Sequence, residues 1–522
     1  MTVPGMDDRL ARPGAPPDER PDAPEVAHVV PLRSVADRVA PIAVLGDADA
    51  VEVSGVVFHH DAVVCGSLFC CLPGARFDGH DLAARARAAG AVAFVCEHSV
   101  AGAAGAVQLV VGPGEARAAM ARAACAYFGD PSRSLRTVGV TGTNGKTTTT
   151  FLLRSILEHH GWPSGVIGTL DGARTTPESP ELQRALAGFR DRGDVAVALE
   201  VTSHALLQGR VDGIRFDVSV FTNLSQDHLD YHATMDAYFA AKSLLFEPER
   251  SALAVVNVDD PYGRRLAERR GPDVLTYSLA DAAELDLGPT SSRFLLAGHE
   301  VRLRLGGAFN VANALAAGAA ARALGVTDET IAAGLSAASG VPGRFETFES
   351  LDGVTAIVDY AHTPAALEQV LSAARAMLGS RRDDTSIPPR LLVVFGAGGD
   401  RDRGKRPAMG AVASRLADVV VLTSDNPRSE DARAIAEQVR AGVASGTDCR
   451  VELDRRDAIT WALRSARPGD VVVVAGKGHE TTQETGGTAV HFDDREVVLE
   501  ALESQGRALP RWARPTATGP GA

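Results

Sequence analysis

The sequence predicts an α/β protein of three domains: a small N-terminal α/β domain, a central parallel sheet carrying a phosphate-binding loop (a P-loop), and a C-terminal Rossmann-like α/β domain. Three observations lead there. Short β-branched runs alternate with Ala- and Arg-rich helical stretches, two turn-rich segments ("FGDPSRSLR" and "SGVPGRFE") interrupt that alternation, and 522 residues exceed what one core ordinarily organises.

Residues 1–25 are rich in Pro and charge and lack an apolar core segment, so they read as a disordered tail and not as a signal peptide. From 26 to 133, "AVVCGSLFCCL", "AVAFVCE" and "VQLVVG" alternate with stretches such as "DLAARARAAG", which defines the N-terminal domain. From 134 to 345, "TVGVTG", "VAVALEV", "VSVFTNL" and "LAVVNVD" predict a mostly parallel sheet flanked by helices. From 346 to 510, "TAIVDY", "RLLVVFGAGG", "DVVVLTSDN" and "DVVVVAGKG" each end in a polar or Gly-rich loop. Ligands bind in open α/β sheets beyond such strand ends. Residues 511–522 read as a flexible tail.

A net charge of −13, spread along the chain, argues against a nucleic-acid or anionic-membrane surface. No run reaches the roughly 18 apolar residues that span a bilayer. A soluble, cytoplasmic monomer handling small molecules is expected. Six cysteines (Cys65, Cys70, Cys71, Cys96, Cys125, Cys449) include no CxxC pair of zinc spacing and read as reduced thiols. The adjacent Cys70 and Cys71 are expected to alternate between core and surface on one strand.

In "VGVTGTNGKTTTT", residues 138–150, a strand runs into a turn at Gly142, Thr143, Asn144 and Gly145, and Lys146, Thr147 and Thr148 open a helix. Backbone N–H groups of such a loop face phosphate oxygens, the lysine pairs with the outer phosphates, and a hydroxyl holds Mg²⁺. The strict GxxxxGK[ST] pattern fails at Val140; the match is to the shorter GTNGKT[ST]. An ordinary glycine turn is the plainer alternative, and the Lys-Thr-Thr tail argues against it.

Glu200 ends an apolar run, where a strand end delivers a carboxylate, although such a position is more often just solvated. His228 follows another strand amid Asp227 and Asp230, and Mg²⁺ seldom takes an imidazole. Lys242, in "YFAAKSLLF", reads at face value as a helix-surface lysine; as a carbamate it would instead offer an anionic oxygen to a metal. Spacing leaves both readings open.

Over roughly residues 45–500 the chain resembles the Mur ligases of peptidoglycan synthesis, most closely the MurE type. The likeness rests on "GTNGKTTT", "TTPESPELQ", "EVTSHALLQGRV", "FTNLSQDHLDYH", "AAKSLLF", "FNVANALAA", "VPGRFE", "DYAHTP", "FGAGGDRDRGKRP", "SDNPR" and "GKGHE". It implies an ATP-dependent ligase that activates the terminal carboxylate of UDP-N-acetylmuramoyl-L-alanyl-D-glutamate as an acyl phosphate and joins it to an amino acid. Lys146, Glu200, His228 and carbamylated Lys242 are the implied catalytic and metal residues, with Thr147 beside Glu200 on one Mg²⁺. Asn310, Asn313, Arg344 and Asp359 are implied around ATP, and Thr175, Thr176, Thr202, Gln208 and Arg210 around the UDP-muramoyl dipeptide. Alone, Asn310 and Asn313 would read as a helix cap, and Arg344 with Asp359 as a strand-end turn.

"SDNPR" with "GKGHE" resembles the signature of ligases that add meso-diaminopimelate instead of lysine. Asn426 and Arg428 would meet the distal carboxylate, Glu480 and the Gly476 carbonyl the distal ammonium, with Asp425 and Arg401 in the same pocket. Against lysine, Arg428 would stand unpaired at a cost of roughly 2–5 kcal/mol. Read without the resemblance, "DNPR" is a helix-capping turn. Two departures stand out: His59, His60 and Asp61 replace the usual "DSR" of the uridine pocket, with Cys65 for its proline, and Arg174 replaces the usual Asn before "TTP". A His-His-Asp metal site is the less favoured reading of the first, because the sequence offers no fourth ligand. A folylpolyglutamate-synthase-like ligase and a silent nucleotide-binding paralogue are the rival functions; the signature motifs argue against one and the intact catalytic set against the other.

Overall fold

A computed structural model of the chain describes residues 28–507 except 75, 76, 171–173, 271, 272, 289 and 381–387. Both predicted tails, 1–25 and 511–522, lie outside the described residues. The chain divides into two compact units, Met1–Ala119 and Met120–Ala522.

The first unit is built on a five-stranded sheet of β1 (Ala43–Leu45), β2 (Gly55–Val57), β3 (Ser67–Cys70), β4 (Ala93–Cys96) and β5 (Val107–Val110), in the order β1-β5-β4-β3-β2. Only the β1–β5 pairing is antiparallel. Every residue of β3, β4 and β5 is buried, as in a sheet covered on both faces. That cover corrects the expectation for the cysteine pair: Cys70 and Cys71 are both fully buried, Cys71 packing with Phe69 and Phe94 just past the strand end. His59, His60 and Asp61 form a surface turn after β2, with Asp61 at 3.6 Å from His59 and 3.1 Å from His60.

The second unit contains two larger sheets. In the first, β6 (Arg136–Thr141), β7 (Ser164–Ile167), β8 (Ala196–Glu200), β9 (Phe216–Phe221), β10 (Ser251–Asn257) and β11 (Val274–Tyr277) are all parallel, in the order β11-β10-β9-β6-β8-β7. The helix Lys146–His159 follows β6 and buries Leu152, Leu153, Ile156 and Leu157 in a core shared with the helices Ala308–Ala323 and Asp328–Ala337. Small residues set that spacing: a Cβ on Gly334 would lie 2.6 Å from Ile156 Cα. A three-stranded antiparallel sheet of β12 (Ala282–Leu287), β13 (Ser292–Leu296) and β14 (His299–Leu303) adds Phe294, Leu296, Val301 and Leu303 to the same core.

The second large sheet has β15 (Glu346–Glu349), β16 (Thr355–Asp359), β17 (Leu391–Phe395), β18 (Val419–Leu422), β19 (Asp448–Val451) and β20 (Val471–Ala475), in the order β15-β16-β20-β17-β18-β19, with only β15 antiparallel to its neighbour. β16, β17, β18 and β20 are buried along their whole length, and separate apolar cores fill the two faces. A hairpin of β21 (Thr482–Thr485) and β22 (Thr488–His491) follows β20. Among the described residues no helix is long and apolar enough to cross a membrane.

Candidate active site

The loop after β6 is pinned from two sides. A Cβ on Gly142 would lie 1.9 Å from Thr222 Oγ1, and one on Gly145 (φ +85°) would lie 2.2 Å from Asn313 Oδ1. Glycine is therefore demanded at both places by close approach, and at Gly145 by the left-handed backbone as well. Asn144 N–H donates to Asn223 Oδ1 at 3.0 Å, and Thr222 Oγ1 donates to Asn144 O at 2.6 Å, which fixes the loop against the end of β9. Lys146 Nζ folds back onto the carbonyls of Gly142 (3.0 Å) and Thr143 (2.9 Å), and burial lowers its pKa. Asn310 and Asn313 sit in the first turns of the helix Ala308–Ala323, buried and joined at 3.4 Å.

Lys242 is not the surface lysine its helix suggests. It is 2 % exposed, donates to Gly142 O at 2.9 Å and lies 4.7 Å from the Tyr238 ring centre. Burial first, and then the neighbouring Lys146 charge, push its pKa well below the ordinary lysine value.

Glu200 ends β8 and is buried, its two oxygens accepting from Thr169 N–H (2.9 Å) and Thr169 Oγ1 (3.1 Å). Around it gather the residues expected to hold the dipeptide. Thr176 Oγ1 donates to Glu200 O at 2.8 Å, Thr202 N–H donates to Thr176 Oγ1 at 3.1 Å, and the Thr175 and Thr169 hydroxyl oxygens lie 3.1 Å apart. Arg210 donates to Thr176 O at 2.9 Å and to Gln208 Oε1 at 2.7 Å, and pairs with the buried Glu178 at 3.1 Å. Arg174, at the position of the sequence departure, lies 3.7 Å from the same Glu178.

His228 adopts φ +54° after β9, and burial pushes its pKa down to about 3, so its imidazole is neutral and free to act as a ligand. Beside it, Asp227 is a hub that the sequence did not single out. Lys405 lies 3.5 Å, His228 3.5 Å and His362 3.9 Å from its oxygens. Burial opposes its ionisation, but these three neighbours hold its carboxyl well below the usual range. Lys405 and His362 belong to the C-terminal sheet region, so Asp227 ties the two large sheets together. Arg344 does so as well: its guanidinium donates to Thr147 Oγ1 at 3.0 Å and lies over the Tyr360 ring at 4.3 Å. Asp359, at the end of β16, accepts from Phe345 N–H (2.7 Å) and Ala361 N–H (2.8 Å), and burial raises its pKa to about 6.

The loops after β17, β18 and β20 carry the remaining residues. Asn426 donates to Glu480 Oε2 at 2.9 Å, while its own Oδ1 accepts from Lys477 Nζ (3.1 Å) and Glu484 N–H (2.9 Å). Lys477, fully buried, also pairs with Glu480 at 3.2 Å. Arg428 donates to Gly399 O at 2.8 Å, and its Nε lies 3.3 Å from Glu484 Oε2. In this structure, then, Arg428 is paired with a carboxylate on the hairpin. Asp425 and Gly476 face each other closely enough that a Cβ on Gly476 would lie 2.5 Å from Asp425 Oδ2, and the exposed Arg401 lies by Gly398, where a Cβ would meet its Cγ at 3.8 Å.

One cavity of about 1440 Å³ takes in most of these groups, from Lys146, Thr147 and Glu200 through His228 and Arg344 to Arg401, Arg428 and Glu480. Lys242 and Gln208 are not among its lining residues; Lys242 reaches the cradle from behind through Gly142 O. Sequence reasoning named Asp227 only as a neighbour of His228 and passed over Lys405, His362, Lys477 and Glu484. Lys477 sits inside a motif already noted, and a Gly486–Gly487 turn between two short runs is a hairpin signal that would have led to Glu484.

Three family models match the chain: the Mur ligase middle domain over residues 140–321, the Mur ligase glutamate ligase domain over 343–478, and the Mur ligase family catalytic domain over 61–128. The chain is 45% identical over 477 residues to the UDP-N-acetylmuramoyl-L-alanyl-D-glutamate--2,6-diaminopimelate ligase of Gloeobacter violaceus, covering 87% of this chain and 95% of that one. It is 43% identical over 512 residues to the ligase of the same name from Streptomyces avermitilis, covering 92% and 99%. A solved structure of a UDP-N-acetylmuramoyl-L-alanyl-D-glutamate--2,6-diaminopimelate ligase, 32% identical, covers 92% of this chain and 100% of that one with a TM-score of 0.61.

Proposed function

The chain belongs to the Mur ligase family, and from that premise we propose that it is an ATP-dependent amide ligase of peptidoglycan precursor synthesis, adding meso-diaminopimelate to UDP-N-acetylmuramoyl-L-alanyl-D-glutamate. The observation that carries this reading is the single cavity in which a phosphate cradle, a cluster of threonines with Arg210, and the Arg428–Glu480 loops face one another.

In the proposed reaction the terminal carboxylate of the dipeptide attacks the γ-phosphorus of ATP and ADP leaves. The acyl phosphate is then attacked by the amine of the incoming amino acid, and phosphate departs as the amide forms. The backbone of Gly142–Gly145 holds the phosphates, while Lys146 and Arg344 place cations where negative charge builds up. Asn310, Asn313 and Asp359 frame the nucleotide. Thr175, Thr176, Thr202, Gln208 and Arg210 orient the muramoyl dipeptide, and Arg401, Asp425, Asn426, Arg428, Gly476 and Glu480 the amino acid.

The donor set fits Mg²⁺: the Thr147 hydroxyl and the Glu200 carboxylate are hard oxygens, and the neutral imidazole of His228 with Lys242 as its carbamate completes a second set. Bound there, the ions would neutralise charge on the transferring phosphoryl group. The proposed enzyme is a cytoplasmic monomer acting on small-molecule substrates.

The test is phosphate release from ATP with the UDP-muramoyl dipeptide and meso-diaminopimelate, L-lysine or no amino acid. Release with the diaminopimelate alone is expected, and would also establish that the His59-His60-Asp61 segment is compatible with a uridine substrate. Release with lysine would overturn the acceptor assignment, and no release with any of them would overturn the ligase reading.

A further inference from the structure

Among the described residues, His59, His60 and Asp61 are the one group of three or more histidine, cysteine or carboxylate side chains whose donor atoms all lie within 4.8 Å of one another. His59 Nδ1 stands 3.6 Å from Asp61 Oδ2 and His60 Nε2 stands 3.1 Å from Asp61 Oδ1, while the two imidazoles stack with their centres 5.1 Å apart. An ion with bonds of about 2.0–2.2 Å holds neighbouring donors about 3.0–3.5 Å apart. Both contacts to Asp61 therefore already stand near the spacing that one ion imposes.

The segment that carries them is anchored. Its turn closes through Ala62 N–H to His59 O at 3.0 Å and Val63 N–H to His60 O at 3.4 Å. Beyond the turn, Val64 N–H donates to Ser67 Oγ at 3.0 Å and Ser54 Oγ donates to Cys65 O at 2.7 Å, which ties the loop to the paired strands β2 and β3. The His60 side chain is 20% exposed and so restricted in its rotamers, whereas Asp61, at 72%, is open to solvent. An ion pair on so open a carboxylate stabilises a fold very little, so folding gains little from gathering these three groups.

We propose that His59, His60 and Asp61 bind one divalent transition-metal ion of the Zn²⁺ type. Two imidazole nitrogens and a carboxylate oxygen suit Zn²⁺, Co²⁺, Ni²⁺ and Cu²⁺, and disfavour Mg²⁺ and Ca²⁺, which take oxygen donors. The missing fourth ligand, which counts against a metal when only the sequence is read, is no obstacle to an open site, where three protein ligands leave the remaining position to water. Exposure gives the ion a direct route in and out. The site shares no residue with the proposed Mg²⁺ set of Thr147, Glu200, His228 and Lys242, and binding here requires neither ATP nor a muramoyl substrate.

The experiment is a calorimetric titration of the full chain with Zn²⁺, after stripping with a chelator and in excess Mg²⁺. It compares the wild type, H60Q, the double variant H59Q/H60Q, and H228Q, which removes the imidazole of the proposed Mg²⁺ site. One Zn²⁺ equivalent is expected to bind the wild type and to persist in H228Q. That equivalent should bind H60Q about tenfold or more weakly and be lost from the double variant. Wild-type binding in the double variant, loss of the equivalent in H228Q instead, or no Zn²⁺ bound by the wild type overturns the assignment.

Discussion

Lys146 and Lys242 donate to the same backbone oxygen, that of Gly142, at 3.0 and 2.9 Å. Two amines converging on one carbonyl repel as cations, and among the described residues no carboxylate forms an ion pair with Lys242. Conversion to a carbamate would resolve that conflict, since a neutral amine that adds to carbon dioxide and releases a proton becomes an anion beside the Lys146 cation. Lys242→Ala should lower turnover by roughly 100-fold or more, with partial rescue by added short carboxylates. A carbamate resonance from ¹³C-bicarbonate should appear in the wild type and vanish in the variant. Full activity in Lys242→Ala would remove the proposal.

Gly145 tests the cradle separately. An added Cβ meets Asn313 Oδ1 at 2.2 Å, and the φ of +85° costs any L-residue about 1–2 kcal/mol. Gly161 has nearly the same backbone, φ +88°, but nothing within 4 Å of its missing Cβ. Gly161→Ala should therefore lower stability modestly and leave nucleotide binding alone, whereas Gly145→Ala should weaken binding of an ATP analogue by tenfold or more in a calorimetric titration. Equal effects of the two on the nucleotide would mean that the cradle tolerates the displacement.

The cradle was legible because its parts are contiguous: Gly142 to Thr148 carry the turn, the lysine and the hydroxyls in seven successive positions. The parallel sheets were legible for a similar reason, since strands buried on both faces read as unbroken apolar runs such as Val471–Ala475. Lys242 was not, because its helix Met235–Ser243 has apolar residues on several sides and tertiary packing decides which side is buried. Nor was the partner of Arg428, which lies 56 positions downstream in a segment of ordinary polar composition. Pairings of that kind are set by where chain segments meet, and a sequence pattern records only the segments.

Arg455 and Asp494 form a fully buried bidentate pair at 2.7 and 2.6 Å, and Arg455 also donates to the carbonyls of Ser424 (3.2 Å) and Ala475 (3.0 Å). Those carbonyls immediately precede Asp425 and Gly476, so the pair holds at once the two loops that carry these proposed substrate residues. Asp494→Ala leaves a buried guanidinium without its anion and should cost about 3–5 kcal/mol in a denaturant titration. The double variant Arg455→Met, Asp494→Leu should recover most of that stability, because it leaves no buried charge, yet KM for the amino acid should stay raised because the two carbonyls have lost their donor. Recovery of both stability and KM would show that the pair has no positioning role.

Glu430 gives the pH dependence. The buried Arg406 guanidinium donates to both of its oxygens, at 2.9 and 3.0 Å, and Asp400 N–H donates at 2.7 Å. Arg406 chiefly, against the opposing effect of burial, lowers the Glu430 pKa from its ordinary 4.5 to about 2. The folded state therefore binds this proton more weakly than the unfolded chain does. The stability it confers is fully present above pH 4.5 and is lost as pH falls through about 2. Allowing for solvent screening, that amounts to ~1–2 kcal/mol. Glu430→Gln should be less stable than the wild type at pH 7 and should show a flatter decline between pH 4.5 and 2, so that the two denaturation midpoints converge at the acid end. Because Glu430 anchors the loop that carries Arg401, the same variant should raise KM for the amino acid at neutral pH while leaving KM for ATP unchanged. Parallel pH profiles for the two proteins would show that the pair contributes nothing beyond its surroundings.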